Sequence, residues 1–579
     1  MKPNNENQNT KRGDNKILSF RQDIDFYLTR AEKELDRNDL LAATERYRRA
    51  YMSDPTDLDA CLALADMLGR MQRYEESNRL LLVDMSMNDP DAESFFGLAC
   101  NYYGMQEFDY ARESLETYLA MEPEGTYAAD AEEFLEVLND EGELRYSIGL
   151  ENESSETLTV TAKARRLTDC GQAEEAAKLL TEYLAQYPDA HRATHTLATI
   201  RFMQGDIPEA LRLVESIIRK DRFHVCARCS KVLFLRANKQ RAEADLEMEA
   251  ILSLKVEFGP EELGAVGLLQ MDAEQWDQAK DTMEKLAEFL PYDPLVLHHL
   301  ATARYMLGDS NGALECYVKL LRIDPDDTVA QYYRTYLKKN PQPKRRHAFP
   351  AAYQVPLPEI LHRLHTVTQA LSLSTAAFRE RWSKERAFRN LLAWSLSLPE
   401  EKYCVELLQL IASAADGDAE RILRDFLLRT DRSDGLKHIT VTLIGELNPH
   451  RDVMLYFGGE WIRGEVNEFM TSRKVPAAYE QMLGLLMQSV TERHGSKECV
   501  AQIGTVMQTI FAHYRGDLPR MTKERARATA AALEYLGHTM AGEPCDAEEL
   551  ATYYRVTPRR LQNAVSRIQY ILNADEEEK

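Results

Sequence analysis

The chain has 579 residues, too many for one domain, and its 44% apolar and 28% charged residues describe an ordinary globular protein rather than a disordered one. No apolar run reaches the roughly 18 residues of a membrane span, the first 16 residues show no secretory signal, and nine cysteines, sparse and odd in number, argue against a disulfide scaffold and for the cytoplasm. The residues from Pro341 onward are balanced in charge, so the whole net charge of −23 lies in the first 340, a surface that repels nucleic acid and favours a basic partner.

In chain order, residues 1–20 are polar and expected to be disordered. A comb of small residues then begins. Ala43, Ser77 and Ala111 stand 34 apart, and Ala176, Ala210, Ala244, Ala279 and Ala313 stand 34, 34, 35 and 34 apart. Twelve residues before most comb positions comes a second small residue, such as Ala65, Ala99, Ala198 or Ala301. Twelve after five of them comes proline, which cannot continue a helix. Each period reads as two helices, A and B. In the last one, helix A ends near Leu307, Gly308 makes the turn, and helix B starts near Asn311. Three periods occupy 21–139 and five occupy 157–338, with the sixth, around Ala244, degenerate. Residues 140–156 break the comb as a linker or a degenerate unit.

The comb, its turn and its proline resemble the tetratricopeptide repeat. The resemblance implies a right-handed superhelix that binds a peptide or partner protein on its concave face and rarely carries catalysis. That face is expected to collect Phe96, Tyr103, Arg165, His195, Phe202, Met271, His298 and Tyr305. Aromatic and arginine side chains suit that task because they anchor interfaces. Eleven residues before the comb, where carboxylate-clamping members of the family carry asparagine, this chain has none, so a chaperone-tail clamp is not expected.

Residues 339–357 form a Pro-rich basic linker, read as an extended spacer. Residues 358–475 give amphipathic helices faintly similar to HEAT-type repeats, with a small β-hairpin around Gly458 and Gly459. Residues 476–573 hold a long Ala-rich helix, 523–539, then a short helix, 548–554, a turn at 555–557 and a longer helix from Pro558. Ala551, Val556, Leu561 and Ala564 have the spacing of a helix–turn–helix interior. This stretch resembles the cyclin-like core repeat of transcription factor B. Arg555 stands where the turn usually has glycine, so a different turn geometry is expected. Arg559, Arg560, Gln562, Asn563 and Arg567 would face outward, residue types that contact phosphates and base edges. Residues 574–579 are an acidic tail.

No phosphate loop, nucleophile elbow or zinc-protease motif is present, so no catalytic residue, metal or cofactor is expected. His224, Cys226 and Cys229 lack a second Cys pair, and His191 and His195 lack a third ligand. The fold expected is all-α: a repeat solenoid followed by a second helical region. The function expected is a non-enzymatic adaptor that docks a partner segment in the concave groove. The alternative is a transcriptional regulator whose repeats sense a partner while the C-terminal helix contacts DNA.

Overall fold

The computed structural model describes residues 24–140, 144, 154–169, 171–254, 257–342, 349–398, 403–448, 452–457, 460–466, scattered positions from 482 to 493, 496–513 and 521–577. The expected disordered N-terminus, the Gly458–Gly459 turn and the last two residues lie outside these. The described chain is almost entirely helical, with one two-stranded sheet, and forms two compact regions that divide between Val466 and Asn467.

In the first region, eight helical hairpins follow the comb. The first pairs Ile24–Leu35 with Leu40–Ser53, and the eighth pairs Pro294–Met306 with Ser310–Ile323. Ala43, Ala111, Ala176, Ala210, Ala244, Ala279 and Ala313 have no exposed surface, because each lies where helix A crosses helix B and a larger side chain would separate them. Ser77 fits the same place with its hydroxyl satisfied: it donates to Ala65 O at 2.7 Å and accepts from Asn101 Nδ2 at 2.8 Å. The degenerate sixth period folds as a regular hairpin, Val225–Ala237 with Arg241–Leu252.

Five residues before every comb position the backbone turns left-handed. Gly171, Gly205 and Gly308 do so cheaply, whereas Asn38, Gln72, Gln106, Lys239 and Glu274 do so with a side chain. The turn reverses the chain so tightly that the geometry is kept whichever residue fills it.

The break in the comb does not break the stack. Helix Ala128–Asn139 follows the third hairpin, and the fourth begins at Ser155, inside the stretch expected as linker. Across the gap Arg166 pairs with Glu107 at 2.9 Å and lies over the Tyr110 ring. The array also meets its own start. Helix Leu40–Ser53 of the first hairpin packs on Ser310–Ile323 of the eighth, where Arg48 Nε donates to Ile323 O at 2.9 Å and Arg322 pairs with Glu45 at 3.0 Å. Burial between these layers, against the pull of Arg48, raises the Asp324 carboxyl to about 6.

Six further helices, from Leu357–Leu371 to Asp434–Leu447, lead to an antiparallel hairpin of β1 (Asp452–Phe457) and β2 (Glu460–Glu465), with Tyr456 opposite Trp461. Rather than forming a separate domain, this segment shares the first compact region. Its helix Gly417–Leu427 and β1 pack on helix Tyr74–Met87 of the second repeat. Fully buried Arg424 donates to the carbonyls of Ser86 and Asp452, and Arg79 pairs with Asp425. Helix Tyr74–Met87 is therefore buried on nearly every side, which explains its unbroken run from Leu80 to Val83.

The second region contains helices Lys497–His513, Lys523–Met540, Ala547–Tyr553 and Pro558–Glu577. Ala551, Leu561 and Ala564 are buried as their spacing predicts, with Val556 packed at the edge. The turn departs from expectation: Arg555 takes φ +54, the conformation a glycine would have supplied. The helix ends hold the bend on both sides, through Val556 N to Ala551 O and the Thr557 cap on Arg560 N, and this offsets the strain.

Candidate functional site

The expected groove residues fall at two repeat positions, fifteen and eight before the comb, apart from Arg165 at eleven before. In the eighth repeat these are His298 and Tyr305. Both are buried, because residues 349–354 of the supposed spacer lie against them. His298 Nε2 is 2.8 Å from Pro350 O, and His299 Nε2 is 2.6 Å from Ala351 O. A carbonyl only accepts, so both imidazoles donate there, and His298 Nδ1 accepts from Tyr317 Oη at 2.8 Å. Tyr333 Oη donates to Gln354 O, Tyr305 Oη to Asn340 O and Gln342 O, and Phe349 stacks on Tyr305 at 5.1 Å. Burial drops the His298 imidazole to about 4, so it is neutral at neutral pH. This groove is occupied by the chain itself and is not open to a partner.

The third repeat is covered in a similar way. Phe96 stacks on Tyr127 at 4.7 Å, and Tyr103 meets Phe134 edge-on at 5.0 Å, both supplied by the chain entering and forming helix Ala128–Asn139. Met271 packs, half-buried, against the core of the last two repeats.

The fifth repeat is different. His195 and Phe202 hold the same two positions as His298 and Tyr305. Phe202 stacks on Phe234 of the next hairpin at 4.5 Å, but His195 opens onto a cleft of about 530 Å³. Arg165, Arg192, Thr199, His224, Cys226, Glu261 and Glu262 also line it. His195 Nε2 bonds Ser230 Oγ at 2.8 Å, and burial, then the neighbouring His224, lowers its imidazole to about 4. Arg192 pairs with Glu261 at 3.2 Å. Arg165 has no ion pair among the described residues; burial, then the Arg192 charge, lowers its guanidinium. Two adjacent guanidiniums, one unpaired, make this wall attractive to an anionic group. Of the residues expected from the sequence, Arg165 and His195 line this cleft; Arg192, Ser230 and Glu261, which carry no distinctive spacing, were not among those expected.

His224 Nδ1 accepts from Ala227 N to cap its helix, and burial pushes the Cys226 and Cys229 thiols up to about 12. A second cavity of about 400 Å³ lies between the second and third repeats and the post-repeat helices, beside Arg79, Glu107, Arg429 and Trp461. Only tertiary packing creates it.

In the second region Arg559, Arg560, Gln562, Asn563 and Arg567 are all exposed along one helix. Arg560 pairs with Glu524 at 2.8 Å, and Glu549 pairs instead with Arg493 at 2.8 Å. Among the described residues no helix is long and apolar enough to cross a membrane.

Residues 167–228, which include His195 and Cys226, match the sequence profile of the tetratricopeptide repeat. The chain is 24% identical over 250 residues to the TPR repeat-containing protein YvcD of Bacillus subtilis, an alignment covering 42% of this chain and half the length of that relative. Among solved structures it is similar to a tetratricopeptide repeat protein from Parabacteroides merdae, at 15% identity, TM-score 0.24, 48% of this chain and 98% of that one. It is also similar to yeast Tom70, at 14% identity, TM-score 0.26, 73% of this chain and 91% of that one.

Proposed function

We propose that the chain is a non-enzymatic, cytoplasmic adaptor whose repeats dock an extended segment of a partner protein in the cleft around His195 and Arg165. The observation that carries this reading is the repeat equivalence of His195 and His298. The eighth repeat holds residues 349–354 by donating from His298 and His299 to backbone carbonyls, helped by Tyr333 of the following helix Thr328–Lys339, and the fifth repeat presents a histidine at the same position beside an open cleft. Neutral His195 would exchange its bond to Ser230 Oγ for one to the partner's backbone, and Arg165 would take a carboxylate. A preformed site of this kind spares the ordering cost of binding. The net negative charge of the first 340 residues favours a partner of net positive charge, with steering that fades as salt rises.

The test is selection of binding segments from a displayed peptide library on the full chain, followed by anisotropy titrations. Arg165→Glu and His195→Ala are expected each to weaken the selected segments at least about tenfold, while the already occupied His298 position is indifferent to them. Segments that bind both variants like the parent would refute the reading.

A second reading has one observation in its favour: Arg559, Asn563 and Arg567 are exposed on one helix, as in a helix–turn–helix of the cyclin-like kind that contacts DNA. Duplex DNA titrated into the full chain across a salt series decides it. Binding with a steep salt slope that is lost in Arg559→Ala/Arg567→Ala supports this reading, and no binding at low salt removes it.

A further inference from the structure

Among the described residues, one trio of cysteine, histidine and carboxylate donor atoms lies with every pair within 4.8 Å: Cys499, His538 and Glu543. No spacing in the sequence advertises it, and the packing explains how it forms. A Cβ at Gly537 would sit 2.5 Å from Ile503 Cγ1 and 3.1 Å from Cys499 O, so helices Lys497–His513 and Lys523–Met540 touch at this glycine. Its neighbour His538 is thereby set beside Cys499. Gly542 then turns the chain back at φ +71, so that Glu543 N bonds His538 O at 2.9 Å and Glu543 Oε2 reaches His538 Nδ1 at 2.7 Å.

The surroundings suit a metal ion. Cys499 is fully buried, whereas the Glu543 side chain is 30% exposed, which leaves an entry path on one side only. On the far side of the imidazole, Glu534 Oε1 lies 4.0 Å from His538 Nε2. Glu534 is fully buried. One of its oxygens accepts from Tyr554 Oη, and Oε1, which makes no hydrogen bond, is shared between the imidazole and Arg493 Nε at 3.5 Å. A carboxylate behind the non-ligating nitrogen of a histidine is how proteins fix the ring and tautomer of a metal ligand.

We propose that Cys499, His538 Nδ1 and Glu543 bind a divalent transition-metal ion of the zinc class, with the fourth tetrahedral position left to water. Thiolate, imidazole and carboxylate together are a zinc-type donor set. The ion takes the place of the proton now shared between Nδ1 and Glu543. That proton is balanced by one on Nε2, facing Glu534, and the Cys499 thiol proton passes to solvent. The His538–Glu543 pair opens from its hydrogen-bond separation to about 3.3 Å, the spacing of two ligands about 2 Å from a tetrahedral zinc.

The test uses the full chain, stripped with a chelator and titrated with Co2+. The expected result is one ion per chain, with a near-ultraviolet thiolate-to-cobalt charge-transfer band and intense tetrahedral d–d bands that Zn2+ bleaches. Cys499→Ser removes the charge-transfer band, while Cys100→Ser, at an exposed thiol in the other compact region, keeps it. His538→Gln, at a partly exposed helix end where folding is retained, weakens binding by about 10- to 100-fold or more, and Glu534→Gln by about tenfold with the band intact, as a positioning residue should. Absence of a thiolate band in the parent chain, or a band that survives unchanged in His538→Gln, overturns the proposal.

Discussion

Acid should release the chain's own segment from the eighth repeat. His298 is fully buried, and its imidazole is held near 4, against 6.5 for a free histidine, by burial first. Because the bound value lies below the free one, the contribution is complete above pH 6.5 and is lost as pH falls toward 4. Between pH 8 and pH 5 the difference amounts to about 2 kcal/mol. Protonation also places a hydrogen on Nδ1, where Tyr317 Oη now donates, so that hydroxyl must turn away. His299, lowered by burial, acts in the same direction. Asp327, which accepts from Tyr353 Oη and is raised by burial, acts in the opposite one. Comparing the parent with His298→Gln cancels both neighbours, since glutamine can still donate to Pro350 O but does not titrate. Hydrogen exchange over residues 349–356 at pH 8 and pH 5, corrected for intrinsic rates, reads the local opening energy. The parent is expected to lose about 2 kcal/mol more than the variant over this interval. Equal pH dependence in the two proteins would refute the role assigned to His298.

Three further outcomes follow from the packing. Gly308→Ala should cost about 1–2 kcal/mol in thermal unfolding although no atom lies within 4 Å of the added methyl group, because the penalty is the left-handed backbone alone; a neutral substitution would contradict this. Arg424→Met should cost several kcal/mol, on the order of 3–5, by leaving Glu420 unpaired and the Ser86 and Asp452 carbonyls without a donor. It should also speed proteolysis within β1 and β2, and an unchanged cleavage rate would count against Arg424 as the fastening of the hairpin. Arg322→Glu places like charges opposite each other at Glu45, so small-angle scattering should show the first compact region expanding, and the swap Arg322→Glu/Glu45→Arg should restore it.

The periodic part of the fold was legible because it depends on a steric demand that sequence records directly. A helix crossing admits only a small side chain, and Ala43 through Ala313 mark each crossing. The left-handed turns were legible only where glycine fills them. Asn38, Gln72, Lys239 and Arg555 show that a tight reversal flanked by two packed helices can impose the same φ on a residue that would not choose it. What covers each groove was not legible. Phe349 and Pro350 read as a spacer, since nothing local distinguishes a proline-rich linker in solvent from one lying on histidines and tyrosines about fifty residues earlier. Of the residues lining the open cleft, Arg165 and His195 could be named from their repeat positions, whereas Arg192 and Glu261 meet across 69 residues. The Cys499, His538 and Glu543 trio left only an indirect trace, a glycine at 537 inside an otherwise Ala-rich helix.

The contact between the first and eighth hairpins changes what kind of object the array is. A solenoid with two free ends behaves as a line: each repeat feels its two neighbours, and repeats can be added or lost at an end. Joining Arg48 to Ile323 and Arg322 to Glu45 gives the line a periodic boundary. Deleting or duplicating a single hairpin would now move the two ends out of register by a full 34-residue step. Such a protein is expected to drift by substitution within its repeats rather than by gain or loss of them, and to unfold with the cooperativity of a loop rather than fraying from its tips.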